Sequence, residues 1–302
     1  MRKLRILVIA VFILSLACVA GYTVMERMTA DHTPPVLTSG SDSISVSVSA
    51  SEEELTQGLS ASDDKDGDLT QDIRVSSMSH FTERGKRTVT YVVFDSANQA
   101  ATLTRELIYT DYVPLRIQLN APLRLDINDM TSGNLEEIMQ AQDCLDGDIS
   151  NQIRVSMGDT AYSSELTGEY GIVAQVSNSA GDVCSVPLTV TVVDASSQEE
   201  RGKYYPTLSQ YIVYTPVGQE LNPSDYLIGL EHNGEAYQFG SQAEADLDAL
   251  GEEIQNLPSA SDVTVSGTVD YNTPGTYQVA YSYTSADGVT AVTNLAVVVE
   301  EQ

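Results

Sequence analysis

Three aspartates fall within six residues, Asp63, Asp66 and Asp68, around Gly67, and the same set returns as Asp143, Asp146 and Asp148 around Gly147. Two chemistries fit this spacing. Carboxylate oxygens gathered by a turn can ligate a hard cation such as Ca2+, which takes about six to eight oxygens. The same side chains can instead accept hydrogen bonds from nearby backbone amides and fix a tight turn, the glycine supplying a left-handed conformation. The pattern is not an EF-hand loop, in which glycine follows the third acidic ligand. Arg74 and Arg154, a few residues downstream, are placed to pair with one of the carboxylates.

Other reactive side chains form no recognisable constellation. His32, His80 and His232 belong to no metal or triad motif, no Gly-x-Ser-x-Gly elbow occurs, and acidic pairs are too abundant to single out a glycosidase couple. No enzymatic activity and no catalytic residue are expected. Of the three cysteines, Cys18 lies in the apolar leader, while Cys144 and Cys184 lie in the second acidic copy and its surroundings. In an exported domain such a pair either closes a disulfide or stays as two thiols. Tyrosines crowd the last third of the chain. Tyr204, Tyr205, Tyr211 and Tyr214 are candidates for stacking on a sugar or a protein, or for ordinary strand packing.

The elements that position these residues come from a duplication. Residues 61–75 read ASDDKDGDLTQDIRV and residues 141–155 read AQDCLDGDISNQIRV, at a constant offset of 80 residues. Strand-like alternation surrounds each copy. Ile44, Val46 and Val48 alternate with serine, and Val89, Tyr91 and Val93 share one face of a strand, as do Tyr170, Ile172, Ala174 and Val176. Turn signals about every 8 to 12 residues predict an all-β sandwich.

After a polar linker at 195–203, the same closing hairpin is written a third time. Pro274-Gly275-Thr276-Tyr277 opens it, Tyr277, Val279, Tyr281 and Tyr283 face inward, and 285–288 makes the turn. Tyr277 is placed for a corner hydrogen bond. The Asp-Gly-Asp element is missing from this copy, with Asn233-Gly234-Glu235 a degenerate remnant. Ala243, Leu247, Leu250, Ile254 and Leu257 predict an amphipathic helix near 242–256.

Residues 1–5 are basic and 6–24 carry no charge, a run long enough to cross a bilayer. The positive-inside bias would leave Arg2, Lys3 and Arg5 in the cytoplasm and export the rest. A signal anchor is preferred to a cleaved signal or a lipoprotein. Net charge is −28, and no Lys or Arg follows Lys203. Such a chain is repelled by phosphate backbones, which argues against nucleic acid as a partner.

The pattern Ala-x-Asp-x-x-Asp-Gly-Asp, then Ile-x-Val, then a Gly-led strand and Asn/Asp-Ser-Ala-Gly/Asn, resembles bacterial Ig-like surface domains. It is most similar to the pesticidal-crystal-protein type, with the hyalin-repeat type a cousin. The match is good over 34–110 and 111–194 and partial over 204–299. The resemblance implies spacers or adhesive modules on exported proteins, with no shared catalytic residues. The expectation is therefore three tandem Ig-like Greek-key β-sandwiches behind a transmembrane or signal helix. Residues 1–29 form the cytoplasmic tip and anchor, 30–110 and 111–194 the first two domains, and 204–302 a divergent third with the helical insertion. The expected protein is a single-pass, non-catalytic stalk with an adhesive or interaction module outside the cell. Its partner would be an unidentified surface protein or glycan. The alternative is a glycan- or calcium-binding extracellular module, possible Ca2+ being the sole cofactor considered.

Overall fold

The computed structural model describes residues 2–29, 31–128, 135, 137–157, 167–240 and 258–301. The helix expected near 242–256 lies outside the described residues. The chain divides into two compact units, Met1–Tyr112 and Val113–Gln302.

The first unit opens with α1 (Arg2–Thr29), whose stretch Arg5–Met25 is 21 residues long with mean hydropathy 2.5, long and apolar enough to cross a membrane. Seven strands follow: β1 (Val36–Ser39), β2 (Ser43–Val46), β3 (Leu59–Asp63), β4 (Gly67–Asp68), β5 (Arg74–Glu83), β6 (Lys86–Phe94) and β7 (Ala100–Tyr109). They form a three-stranded sheet in the order β1-β3-β4 and a four-stranded sheet in the order β2-β7-β6-β5. The chain enters in one sheet and crosses at once to the other, where β2 runs parallel to the last strand. The alternation read from sequence decides which side chains meet between the sheets: Val89, Tyr91 and Val93 are all 0% exposed. They pack on Leu59 and Ala61 from the facing sheet. The polar stretch after β2 is not a plain turn. Ser51 and Glu54 form a reciprocal capping box that starts α2 (Glu52–Leu55), and Leu55 points into the core.

The second unit holds the same plan twice. Its first half has β8 (Arg116–Leu119), β9 (Arg124–Asp126), β10 (Met139–Asp143), β11 (Gly147–Asp148), β12 (Arg154–Met157), β13 (Gly168–Ser177) and β14 (Val183–Val193). Their sheets run β11-β10-β8 and β12-β13-β14-β9. The polar stretch expected as a linker contains α3 (Gln198–Arg201), started by Ser197, whose hydroxyl accepts from Glu200 N–H. Then come β15 (Tyr205–Leu208), β16 (Ile212–Pro216), β17 (Leu227–His232), β18 (Glu235–Gln238), β19 (Thr264–Ser266), β20 (Gly275–Thr284) and β21 (Thr290–Glu300). These make the sheets β15-β17-β18 and β16-β21-β20-β19. The fold is all-β, with sandwich-like units behind one apolar helix.

The two sandwiches of the second unit share apolar surface. Residues of β16 and β21 alternate between two cores. Val213, Leu295 and Val297 fill the third sandwich, whereas Ile212, Tyr214, Ala296 and Val298 pack on the second. A strand buried on both faces carries a near-continuous apolar run, and residues 295–299 (LAVVV) read that way.

Candidate functional site

The two Asp-Gly-Asp segments occupy equivalent places, the hairpins β3–β4 and β10–β11 at one end of each sandwich. Gly67 and Gly147 have φ of 77° and 74°, the left-handed turn that a side chain would strain. Asp63 Oδ1 accepts from the N–H groups of Lys65 (2.8 Å) and Asp66 (3.0 Å), and Asp143 Oδ1 accepts from those of Leu145 and Asp146 (both 2.9 Å). Asp66 Oδ2 reaches across to Ser96 N–H (2.7 Å), and Asp146 binds both the N–H and the hydroxyl of Ser179. Asp68 and Asp148 start the next turn by accepting from the N–H of Thr70 and of Ser150 (both 3.0 Å). The side chain and N–H of Ser150 hold the Asp148 carboxyl below the ordinary carboxylate range, as those of Thr70 do for Asp68. The acidic segments thus tie a hairpin of one sheet to the β6–β7 or β13–β14 turn of the other.

The arginines expected beside these carboxylates point elsewhere. Arg74 Nη1 donates to the carbonyls of Gln71 (2.7 Å) and Ile73 (2.8 Å), and Arg154 Nη1 to those of Asn151 and Ile153. Each caps the short 3-10 turn before its own strand, where backbone carbonyls lack intrahelical partners. In the third sandwich the hairpin β17–β18 holds the corresponding place in the sheet, and Asn233 and Gly234 take positive φ there. The degenerate remnant thus lies at the corresponding hairpin but makes a shorter, two-residue turn, without the aspartates of the other copies. Glu231 Oε1 caps it through Gly234 N–H (2.7 Å).

A carboxylate that the sequence reading passed over joins the first corner. Asp31, just beyond α1, brings an oxygen within 4.8 Å of oxygens of both Asp63 and Asp66. Thr33 holds it there: its N–H (3.0 Å) and hydroxyl (2.9 Å) both donate to Asp31 Oδ1, and the hydroxyl also contacts Asp64. The Thr33 N–H is the main cause of a lowered Asp31 pKa. Asp68 stands apart from this group.

The disulfide is not formed. Cys144 sits in the acidic turn with Sγ 3.5 Å from the Val113 carbonyl, whereas Cys184 is buried in β14 beside Tyr214. Burial raises the Cys184 pKa.

The four candidate stacking tyrosines are mostly engaged. Tyr204 lies flat on His232, ring centroids 4.0 Å apart. Tyr205 lies under the Arg124 guanidinium (3.6 Å to the centroid) and donates to Glu200. Tyr214 reaches the second sandwich, its hydroxyl accepting from Ile117 N–H (3.1 Å) and donating to Ile117 C=O (2.8 Å). Burial pushes the hydroxyls of Tyr205 and Tyr214 well above the usual tyrosine range. Tyr211 lines a groove of about 380 Å3 in the second unit with Leu123, Arg124, Ile172, Tyr277 and Asn294. Tyr277 also makes the corner bond to the Thr273 carbonyl (2.9 Å). Two ion pairs flank the junction, Arg116 with Glu300 and Arg124 with Glu231, each at 2.6 Å.

Residues 233–299 match the family model described as bacterial surface protein, Ig-like domain. The last third resembles a bacterial surface Ig-like domain. The match falls on the copy that resembled the repeat pattern only in part, whose closing hairpin it includes. No curated protein sequence matches the chain. Among solved structures, a carbohydrate-binding module with adjoining domains from Clostridium perfringens ZmpB, in complex with GlcNAc, is similar at 15% identity, 50% of this chain and TM-score 0.21. This chain spans 26% of that structure and 31% of a second ZmpB structure containing the M60 catalytic domain. Domains 6–7 of the surface layer protein SbsC align at 15% identity over 52% of this chain and 97% of theirs, TM-score 0.19. A lipoprotein from Bacteroides thetaiotaomicron aligns at 12% identity over 87% of this chain and 98% of its own, TM-score 0.19.

Proposed function

We propose that this chain is a non-catalytic, membrane-anchored bacterial surface module. The apolar helix holds it in the bilayer as a single pass. The domains at 30–110, 111–194 and 204–302, of the pesticidal-crystal-protein Ig-like type, act as a stalk ending in an interaction surface for a surface protein or glycan. The observation that carries the reading is the match of residues 233–299 to a bacterial surface Ig-like domain, on a chain whose first helix is long and apolar enough to span a membrane. Fractionation with external proteolysis of intact cells tests it. The full-length chain should stay with membranes after alkaline extraction and be cut only from outside. Recovery in the cytoplasm, or protection from external protease in intact cells, refutes the surface reading; secretion as a species lacking the leader refutes the anchor.

A glycan-binding reading has support in the groove beside Tyr211, where Asn294 Oδ1 is buried with no hydrogen-bond partner. Sugars offer hydroxyl donors and a face for an aromatic ring. A glycan array probed with the full-length chain and with Tyr211→Ala tests it. Signal lost in the variant supports the groove, and an empty array removes it.

A further inference from the structure

We infer that the first sandwich carries a calcium site built from Asp31, Asp63 and Asp66, and that the second sandwich, despite the same acidic loop, does not. One carboxylate oxygen from each of the three residues lies within 4.8 Å of the other two, a span that fits the about 5 Å across a calcium coordination sphere. A second observation concerns two of the same side chains. Asp63 Oδ2 and Asp31 Oδ2 are both shielded from solvent and have no hydrogen-bond donor. The other oxygen of each is already committed, Asp63 Oδ1 to two backbone N–H groups and Asp31 Oδ1 to Thr33. Buried carboxylate oxygens are normally hydrogen-bonded, paired or bound to a metal.

The duplicate supplies an internal control. At the equivalent place Asp143 Oδ2 accepts from Asn178 Nδ2 (3.0 Å), and Asn178 is itself buried. The first sandwich has Asp95 where the second has Asn178. Asp95 is also buried, and as a carboxylate it has no N–H to give; its oxygens accept from the N–H and side-chain amide of Gln99. The residue 80 positions after Asp31 is Asp111, and it does not serve the second loop. It accepts from Ser47 and Val48 of the first sandwich. One corner therefore gathers three carboxylates with two orphaned oxygens, and the other is closed by an amide. Calcium suits the open corner because it accepts irregular, flexible oxygen sets and fills remaining positions with water. Binding would pin the segment just after α1 to the β3–β4 loop. Lys65, whose charge also bears on Asp31, is the internal competitor for the cluster.

The test is calorimetric titration of CaCl2 into the full-length chain in detergent after chelator treatment, alongside Asp31→Asn, Asp63→Asn and Asp143→Asn, with circular dichroism to check folding. The expected result is one ion per chain for the parent and for Asp143→Asn, and at least a tenfold weaker Kd for Asp63→Asn and Asp31→Asn. If Asp63→Asn fails to fold, Asp31→Asn decides, because Asp31 lies outside the sandwich strands. No bound ion, two ions per chain, or loss of binding in Asp143→Asn with retention in Asp31→Asn would each overturn the assignment. So would a metal-free parent that binds nothing while Lys65→Gln lowers Tm, since Lys65 would then be the counter-ion. The site stands on the first sandwich alone, so its failure leaves the surface reading intact.

Discussion

Tyr214→Phe should uncouple the two sandwiches of the second unit without disturbing either core. Strand β8 is the edge of its sheet, and Ile117, 0% exposed, turns its N–H and C=O away from β10. The single hydroxyl of Tyr214 satisfies both groups, at 3.1 and 2.8 Å. Phenylalanine keeps the ring beneath the Arg116 guanidinium but removes the oxygen. Each lost hydrogen bond is worth about 1 kcal/mol net, and stranding buried peptide groups adds to it, so the cost is about 2–4 kcal/mol. For a unit the size of Val113–Gln302 this lowers Tm by about 4–16 °C. Calorimetry of the full-length chain reads the shift, and the transition of the first unit serves as an unchanged control. Hydrogen exchange at the Ile117 amide should accelerate in parallel. There is also a pH signature. Burial raises the Tyr214 pKa, so its neutral form belongs to the folded state. That contribution is complete below the ordinary value of 10.0 and is lost as pH rises above it, and the variant should lose less stability on alkaline titration. An unchanged Tm together with unchanged Ile117 exchange would refute the claim that this hydroxyl joins the sandwiches.

Arg105→Ala should lower the first unit's transition by about 10 °C or more. Arg105 is 4% exposed and its guanidinium donates to the carbonyls of Leu55 and Gln57, so its loss costs about 2–3 kcal/mol; a melt within 2 °C of the parent refutes this. In a Cys18→Ser background, maleimide should modify half-buried Cys144 in the folded chain and reach buried Cys184 only after denaturation. Equal labelling rates, or a gel mobility shift that reductant abolishes, as a Cys144–Cys184 bridge would give, would contradict the separate thiols. Asp68 and Asp148 have depressed pKa values in the fold, so their contribution is present above the unfolded carboxylate range and lost as pH falls through the lower folded value. Tm should therefore drop below about pH 4, less steeply in Asp148→Asn, and a parallel profile for the variant would count against the cap.

Much of the fold was legible because it is governed by local periodicity. Alternation at 89–93 and 172–176 named the inward faces, and the conserved 80-residue offset between copies placed both acidic hairpins at equivalent corners. The Ser51-x-x-Glu54 capping box was also written locally and could have announced α2. The turn at Asn233-Gly234 was readable locally because Asn-Gly is the pair that a two-residue hairpin turn with two left-handed residues favours, and both residues have positive φ. What escaped depends on contacts between distant segments. Asp31 enters the acidic corner across about 30 residues of chain, and no spacing rule foretells that. Arg74 and Arg154 stand beside carboxylates in sequence, yet the 3-10 turn puts open carbonyls nearer to them. Tyr204, Tyr205 and Tyr214 read as free because their partners, His232, Arg124 and Ile117, lie tens of residues away.

The charge asymmetry of the chain gains a physical meaning at this junction. With no Lys or Arg after Lys203, nearly all of the third sandwich is an anion, and self-repulsion in such a body favours any neighbour that supplies cations. The second sandwich supplies two. Arg116 takes Glu300 and covers Tyr214, and Arg124 takes Glu231 and covers Tyr205. Each guanidinium thus combines a carboxylate with an aromatic face, a geometry that a lysine ammonium would not reproduce. Glu231 is also the residue that caps the β17–β18 turn, the place where the other copies keep their aspartates. The third copy has therefore exchanged a corner that ties its own two sheets together for a glutamate that faces outward to its neighbour. Apolar residues on alternate positions of β16 and β21 add contact with the core of the second sandwich. Burial strengthens the Arg124–Glu231 pair, whose side chains are both roughly three-quarters buried, beyond what an exposed pair of the same length would give. The Arg116 side chain is 39% exposed, and its pair is the more screened of the two.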